Sequence, residues 1–257
     1  MTLHLVRIGV NPLALAQYAV GRRIGDDDDG YALHCALVAR FGDAAPRPFR
    51  YWRDHARGPH LLGYVADWPA MQDAGALPPA DDRLAALFDT PQAQPMPAAW
   101  RAAARYAFEV RVRPTVRFGR QVRAARGDRA GAWQPKAGEI DAYVAACERA
   151  VLAGESTDTV DRAAVYVRWL ARRLDGVATL EDATLRLFQR ARSRRSTHRP
   201  AGSGARTHAV EGPDAVVAGT LTITDPAAFA DILARGVGRH AAFGHGMLLL
   251  SPAGRAA

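Results

Sequence analysis

Apolar residues recur with two different periods along the first 90 residues of the chain. Short alternating runs predict three strands, at residues 3–10, 48–53 and 60–66. Ahead of the last two, apolar residues at i, i+4, i+5 and i+8 predict an amphipathic helix that Gly42 ends; they are Leu33, Leu37, Val38 and Phe41. The acidic run at residues 26–29 precedes this helix, where carboxylates cap free N–H groups. Weaker helical patterns occur at residues 68–72 and 81–88.

The rest of the chain repeats this mixture of patterns after a segment with three prolines, residues 90–97, which is predicted as a linker. The elements predicted beyond it are a strand at 105–113, helices at 139–153 and 161–174, a strand at 215–224, a helix at 226–235 and a strand at 247–251. Both parts interleave strands and helices in a β-α-β-β-α-β manner. The predicted fold class is therefore α+β with two tandem ferredoxin-like domains, residues 1–92 and 98–257.

The composition is that of an ordinary globular protein, because 49% of the 257 residues are hydrophobic and 23% are charged. No apolar run approaches the roughly 18 residues that a membrane span requires, and the first residues lack the features of a secretory signal. Cys35 and Cys147 are too few for a disulfide framework or a full zinc site, and they predict free thiols in a reducing compartment. We therefore expect a cytoplasmic protein without a membrane partner.

The chain is basic, with 34 Lys and Arg against 26 Asp and Glu and a formal net charge of +8. Lys136 is the one lysine, so nearly all of the positive charge is arginine, whose planar fork donates two parallel hydrogen bonds to a phosphate. Nucleic acid is the favoured partner, with genome composition as the alternative explanation. Loops rich in glycine and arginine are predicted at residues 117–131 and 196–207. The arginines form two runs that partly lie in these loops: Arg111, Arg113, Arg117, Arg120, Arg123, Arg126 and Arg129, then Arg190, Arg192, Arg194, Arg195 and Arg199.

A glycine-rich stretch near the end of the chain is the most informative local pattern. Its spacing satisfies the dinucleotide fingerprint G-x-G-x-x-G/A, but that motif needs a strand before it and a helix after it. Here the predicted helix comes first, so we reject a dinucleotide site. Closely spaced glycines still let backbone N–H groups approach phosphates, and we predict contact with RNA rather than a plain tight connection. The residues concerned are Gly236, Gly238, Arg239, His240, Gly244, His245 and Gly246.

Tyr31 and His34 are the second candidate, because their i, i+3 spacing places both side chains on one helix face. A histidine titrates near neutrality and can move a proton, and a neighbouring tyrosine can orient the imidazole or a phosphate. A partly buried structural pair is the simpler alternative. The sequence contains no H-E-x-x-H, C-x-x-C, EF-hand or G-x-S-x-G pattern. We therefore expect no metal, no cofactor and no nucleophilic serine.

Several blocks of this sequence, in the same order, resemble the CasE family, the CRISPR precursor-RNA endoribonucleases of the type I-E Cascade complex. They span almost the whole chain, and the C-terminal block is the most specific. The chain departs from the pattern at His245, where we expect an aromatic residue in many relatives. The blocks are the strand ending at Asn11-Pro12, Tyr31-Ala-Leu-His34, residues 106–113, 165–170 and 214–223, and the run from Asp225-Pro226 through Arg235-Gly-Val-Gly-Arg-His-Ala-Ala-Phe-Gly-His-Gly-Met-Leu-Leu-Leu250.

The resemblance implies two ferredoxin-like, RRM-related domains and metal-independent cleavage of CRISPR repeat RNA at the 3′ base of a hairpin. The products would carry a 5′-hydroxyl and a 2′,3′-cyclic phosphate, and the enzyme would stay bound to its product. Tyr31 and His34 match the family's active-site positions, with His34 as general base or general acid, and the glycine-rich loop would contact RNA. A basic segment would hold the hairpin stem, carried over here to Arg192, Arg194 and Arg195.

The partners that the resemblance implies are the CRISPR repeat hairpin and other Cascade subunits, in particular the backbone subunit next to the 3′ end of the crRNA. No small-molecule cofactor is implied. Two other classes of function stay open at the level of sequence. One is a catalytically silent subunit that only holds the RNA hairpin. The other is a structural subunit that binds chiefly protein.

Overall fold

The computed structural model describes residues 2–24, 28–79, 81–118, 138–196 and 207–253. Its first part consists of β1 (His4–Gly9), α1 (Pro12–Gly21), α2 (Asp29–Phe41), β2 (Phe49–Trp52), β3 (His60–Val65), α3 (Trp68–Ala76) and β4 (Gln92–Pro95). The strands form an antiparallel sheet in the order β2-β3-β1-β4. Apolar residues of all three helices pack on one face of this sheet and form its core.

The second part consists of β5 (Arg105–Val112), β6 (Thr115–Phe118), β7 (Gly138–Asp141), α4 (Ala142–Leu152), α5 (Arg162–Arg173), β8 (Ala178–Leu180), β9 (Thr184–Ser196), β10 (Thr207–Ile223), α6 (Pro226–Arg235) and β11 (Leu248–Pro252). Its main sheet has the order β11-β5-β10-β8, with β9 paired to β10, and β6 pairs separately with β7. In both sheets the first strand lies between the last strand and the one before it, as in a ferredoxin-like unit. The predicted α+β fold is confirmed, whereas the domain limits 1–92 and 98–257 stay a prediction.

Side-chain caps determine where the helices of the first part begin. Asn11 accepts two backbone hydrogen bonds, and Pro12 opens α1 at a position where no N–H is needed. Asp28 caps α2, because its carboxylate accepts a hydrogen bond from the N–H of Tyr31 at 3.0 Å. Gly42, with a φ of 58°, ends the same helix. The predicted capping role of the acidic run is confirmed at Asp28, while residues 26 and 27 lie outside the described residues.

The segment with three prolines is a strand, so its prediction as a linker is wrong. Gln92–Pro95 pairs with β1 at the edge of the first sheet, where proline is tolerated because one side of the strand needs no hydrogen bonds. Helix α1 has no counterpart among the predicted elements, since apolar residues such as Leu13 and Val20 also occupy its exposed side. Residues 81–88 form only a short 3-10 helix, at Asp82–Leu84.

The long strand pair of the second part also differs from its prediction. Strand β10 begins at Thr207, earlier than the predicted start at residue 215, because it stays paired with β9 as far as Ser196. Of the predicted loop at 196–207, residues 197–206 lie outside the described residues. The same holds for residues 119–131 of the predicted arginine-rich loop.

The first sheet packs against the second part through the face that its helices leave open. Tyr64 on β3 is buried in the core of the second part, and its hydroxyl donates a hydrogen bond to the carbonyl of Leu248 at 2.8 Å. Beside it, Arg50 Nη2 on β2 lies 3.7 Å from Glu109 Oε1 on β5. Burial, and then the charge of Arg111, lowers the pKa of Arg50 to about 10. These contacts fix the position of the first part relative to the second.

Candidate functional site

Tyr31 and His34 lie one turn apart in the first half of α2, and both side chains are half-buried. Their ring centroids are 6.5 Å apart. Burial raises the pKa of the Cys35 thiol, and a hydrogen bond with Tyr31 offsets part of this change. The two side chains thus share a helix face, as their spacing predicts, and the Tyr31 side chain reaches along the helix to Cys35.

The glycine-rich loop contacts the helix at this pair of residues. The Phe243 ring lies edge-to-face with His34 at a centroid distance of 4.9 Å and 6.0 Å from Tyr31. Gly30 lets the loop approach closely, because a Cβ at this position would lie 2.5 Å from the carbonyl oxygen of Phe243. The structure therefore brings together two sequence-predicted features that are about 200 residues apart in the chain.

His34 faces a recess of about 320 Å³ that Arg47, Phe49 and Ala242 also line. Burial, and then the positive charge of Arg47, lowers the pKa of His34 from its usual value of 6.5. Its imidazole is therefore mainly neutral at pH 7, the form that accepts a proton. A neutral base beside a guanidinium is suited to chemistry on a phosphate ester.

Hydrogen bonds within the protein hold the glycine-rich loop in place. The N–H of Gly246 donates to the carbonyl of Arg111 on β5 at 2.6 Å, and its carbonyl accepts from the N–H of Val237 at 2.8 Å. Gly246 has a φ of 77°, and a Cβ there would lie 2.5 Å from the Val237 carbonyl oxygen, so the fold itself requires this glycine. Helix α6 precedes the loop and strand β11 follows it, which confirms the predicted order of elements around the motif. RNA contacts at Gly236, Gly238, Gly244 and Gly246 stay a prediction.

The charged side chains of the loop have partners in the protein. Arg239 forms an ion pair with Glu139, and His240 Nε2 lies 3.6 Å from Glu139 Oε2. His245 is only 6% exposed, and its Nδ1 lies 3.9 Å from Asp214 Oδ1. Burial, and then the charge of Arg111, lowers the pKa of His245 well below 6.5, so this ring is neutral. RNA contacts at Arg239, His240 and His245 also stay predictions.

A second cavity, which we call the central cleft, lies on the other side of the loop between the two parts of the molecule. Its volume is about 420 Å³. Asp214 holds two of the lining side chains in place. Its buried carboxylate accepts hydrogen bonds from Arg111 Nε and Nη2 at 2.7 and 2.6 Å, and from Gln189 at 2.7 Å. The residues that line the cleft include Asp28, Asp29, Phe49, Tyr51, Arg53, Arg111, Gln189, Arg192, Phe243 and His245.

Of the basic residues predicted to hold an RNA stem, Arg192 is exposed on β9 and reaches the central cleft. Arg194 and Arg195 lie further along β9, where they pair with Ala209 and His208 on β10. Their RNA contacts stay predictions. The run from Arg120 to Arg129 and Arg199 lie outside the described residues.

Sequence reasoning did not single out Arg47, Asp214 or Gln189, and it counted Arg111 only as one of a basic run. The available signal was a lone carboxylate, Asp214, just before the apolar strand residues 215–217. Such a charge is stable inside a sheet only with a paired cation. The partner Arg111 is more than 100 residues away, so no local pattern identifies it.

The described residues include neither a membrane-spanning helix nor a metal centre. Every helix in these ranges is too short or too polar to cross a membrane. Likewise, no group of three or more His, Cys, Asp or Glu side chains in this part of the chain is arranged to hold a metal ion. Cys35 and Cys147 form no disulfide.

Comparison with known proteins gives a family and a fold. The family described as "CRISPR associated protein" matches residues 3–252. A structure of the CRISPR endoribonuclease Cse3 bound to a 19-nucleotide RNA has a TM-score of 0.61 at 18% identity, over 98% of this chain and 100% of that one. The CRISPR-associated protein Cas6e from Escherichia coli K-12 has a TM-score of 0.54 at 20% identity, over 98% and 100%.

A third similar structure is a chain of a CRISPR RNA-guided surveillance complex, with a TM-score of 0.54 at 18% identity, over 97% of this chain and 99% of that one. A search of curated proteins gave no match. At these identities the structural matches establish the fold. They agree with the two ferredoxin-like units of the sheet topology.

Proposed function

The chain belongs to the family of CRISPR associated proteins, and on this basis we propose that it is an endoribonuclease that cuts CRISPR repeat hairpins in precursor CRISPR RNA. The fold that it shares over its whole length with the RNA-bound endoribonuclease Cse3 supports the proposal. Fold alone does not assign an activity, so the argument rests on the site.

The observation that carries the proposal is the neutral imidazole of His34, held beside Arg47 and against Phe243 of the glycine-rich loop. An RNA 2′-hydroxyl is an internal nucleophile. The protein therefore needs only to align it, move protons and stabilise charge on the phosphorus. His34 accepts the proton of the 2′-hydroxyl as general base, while the Arg47 guanidinium offsets charge on the non-bridging oxygens. Tyr31, the second catalytic candidate, orients the phosphate or the imidazole.

The reaction balances without water or a metal-bound nucleophile as reactants. The 2′-oxygen forms a bond to phosphorus as the bond from phosphorus to the 5′-oxygen breaks. The departing 5′-oxygen takes a proton from solvent, and His34 releases to solvent the proton that it accepted. The products are a 2′,3′-cyclic phosphate and a 5′-hydroxyl. The glycine-rich loop, with Arg239 and His245, is the proposed contact for the RNA backbone around this bond.

Stem binding outside the cleavage site explains why such an enzyme would keep its product. The arginines of β9, namely Arg192, Arg194 and Arg195, follow one another along a strand that extends beyond the central cleft. If the enzyme dissociated from the stem, every contact between these arginines and the RNA phosphates would be lost. The similar fold of a chain in an RNA-guided surveillance complex supports a role as a Cascade subunit that stays on the mature guide RNA.

A cleavage assay tests this function. Purified protein is mixed with an end-labelled CRISPR repeat hairpin in excess chelator, beside the variants His34→Ala and His55→Ala. His55 is the matched control, because it is an exposed histidine on the turn between β2 and β3, outside the site. A second RNA carries a 2′-deoxy nucleotide at the position to be cut.

We expect one cut at the base of the hairpin with wild-type protein and with His55→Ala. We expect no cut when His34→Ala is mixed with the hairpin or when wild-type protein is mixed with the 2′-deoxy RNA. In both mixtures the protein should still bind the RNA. Binding without cleavage by the wild-type protein would instead identify a subunit that only holds the hairpin. Weak binding with little salt dependence would indicate a subunit that binds chiefly protein.

A further inference from the structure

The central cleft is not needed for the proton transfer at His34, yet it adjoins that site. Phe243 separates the two, since it contacts the His34 ring and also lines the cleft. A strand of RNA cut at His34 would therefore pass the mouth of the cleft with an adjacent nucleotide. The volume of about 420 Å³ is in the range of pockets that hold one small ligand, and it is far too small for a duplex.

Arg111 is held so that one edge of its guanidinium is left for a ligand. Nε and Nη2 both donate to Asp214, whose side chain is fully buried, and the Arg111 side chain remains 27% exposed. Nη1 makes no hydrogen bond within the described part of the chain. An arginine fixed on one edge by a buried carboxylate offers its other edge to an acceptor atom at little entropic cost.

Two further polar atoms of the cleft walls are buried without a hydrogen-bond partner in the described structure, the Tyr51 hydroxyl and His245 Nδ1. Such groups are rare in folded proteins, because leaving them unsatisfied costs free energy. A polar ligand in the cleft would contact this lining. The same walls carry the aromatic rings of Tyr51 and Phe243.

The charge of the cleft identifies the class of ligand. Among the described residues, the charges around the cleft nearly cancel: Arg53 pairs with Asp29, Arg111 pairs with Asp214, and the lining also includes one further arginine and one further carboxylate, Arg192 and Asp28. A site for phosphate would carry a clear excess of positive charge. A neutral cleft with donors, acceptors and aromatic rings instead matches a nucleobase, which stacks on its faces and hydrogen-bonds at its edges.

We propose that the central cleft binds one unpaired nucleobase of the RNA substrate, next to the bond that is cut. Arg111, oriented by Asp214, donates to an acceptor atom on the base edge, and Tyr51 contacts the same base through its ring and hydroxyl. This inference rests on the proposed function, because the ligand is a nucleotide of that substrate. It adds a site that selects the flanking sequence to one that performs the cleavage.

The test measures binding of repeat hairpins that each carry one abasic nucleotide among the unpaired positions flanking the stem. Affinities are compared at one fixed salt concentration for wild-type protein and for Tyr51→Phe. The substitution is informative because the Tyr51 hydroxyl has no hydrogen-bond partner among the described residues, so its removal should not lower the melting temperature. Arg105→Gln is the control. Arg105 lies on the same strand as Arg111 but outside the cleft, and it also forms an ion pair with a carboxylate, that of Glu181.

We expect one abasic position to weaken binding to wild-type protein by about tenfold, a typical loss for one stacked base. Tyr51→Phe should weaken binding of the intact RNA several-fold but leave binding of that abasic RNA unchanged, as expected when the residue and the base interact. The double variant Arg111→Gln/Asp214→Asn, which removes both charges together, should show the same loss of sensitivity. Arg105→Gln should behave as the wild type.

The proposal is overturned if every abasic position carries the same penalty in wild type, Tyr51→Phe and the double variant. It is also overturned if Tyr51→Phe binds intact RNA as tightly as the wild type. Failure of the proposed function is a different result, because wild-type protein would then leave the intact hairpin uncut or fail to bind it.

Discussion

Gly30 decides how closely the glycine-rich loop can approach the helix that carries Tyr31 and His34. We predict that Gly30→Ala separates the two and slows RNA cleavage, although it adds only one methyl group. The substitution touches neither of the catalytic candidates. It tests whether the contact between α2 and Phe243 is part of the site.

The size of the effect follows from the geometry. A Cβ on Gly30 would lie 2.5 Å from the Phe243 carbonyl oxygen, whereas real Cβ contacts are essentially never under 3.0 Å, so the loop must move by at least about 0.5 Å. A misplacement of about 1 Å near reacting atoms can cost on the order of a hundredfold in rate, so we expect a loss of roughly tenfold. Stability should change little, because alanine favours a helix by up to about 1 kcal/mol over glycine and this offsets the strain in the loop.

The assay is single-turnover cleavage of the labelled hairpin, with binding and urea unfolding measured on the same samples. Gly75→Ala is the matched control, since Gly75 lies in helix α3 and its Cβ would be 3.5 Å from the Phe41 ring, an ordinary contact. We expect this control to cleave as fast as the wild type. Wild-type cleavage by Gly30→Ala, or equal rates for the two glycine variants, would refute the reasoning.

Three further predictions concern protonation and the contact between the two parts. Burial, and then the charge of Arg47, hold the pKa of His34 below 6.5, so the cleavage rate should increase as pH rises through this pKa. Arg47→Gln should move the increase to higher pH, because it removes the charge that lowers the pKa. A rate that falls with rising pH would contradict a general base. Tyr64→Phe should lower the free energy of unfolding in urea by about 0.5–1.5 kcal/mol, because it removes a buried hydrogen bond; an unchanged midpoint would contradict this. Burial acts to raise the pKa of Asp214, but the hydrogen bonds and charge of Arg111 outweigh it and lower the pKa to about 2. Its contribution to stability is therefore present above the unfolded pKa of about 3.9 and lost as pH falls through 2, so Asp214→Asn should flatten acid unfolding measured between these values.

The periodicity of apolar residues predicted many of the helices and strands and the faces that they bury. Alternation in residues 105–113 identified β5, on which Phe108, Val110 and Val112 are buried. Helical spacing after an acidic cap identified α2. These features are local, because the period of apolar residues reports which face of a helix or strand is buried. The sequence also predicted the order of helix and strand around the glycine-rich loop, and this order argues against a dinucleotide site.

The contacts that those faces make depend on the arrangement of the elements in three dimensions. This arrangement made residues 92–95 an edge strand, because β1 offered an open edge that prolines do not prevent from pairing. It placed Phe243 against His34 and paired Arg111 with Asp214 across neighbouring strands. Such contacts join residues 85 to 209 positions apart, and they depend on strand order and register, which apolar periodicity does not encode. The sequence could therefore identify the candidate catalytic pair and the loop. It could not predict the central cleft, because residues from both parts of the chain line it.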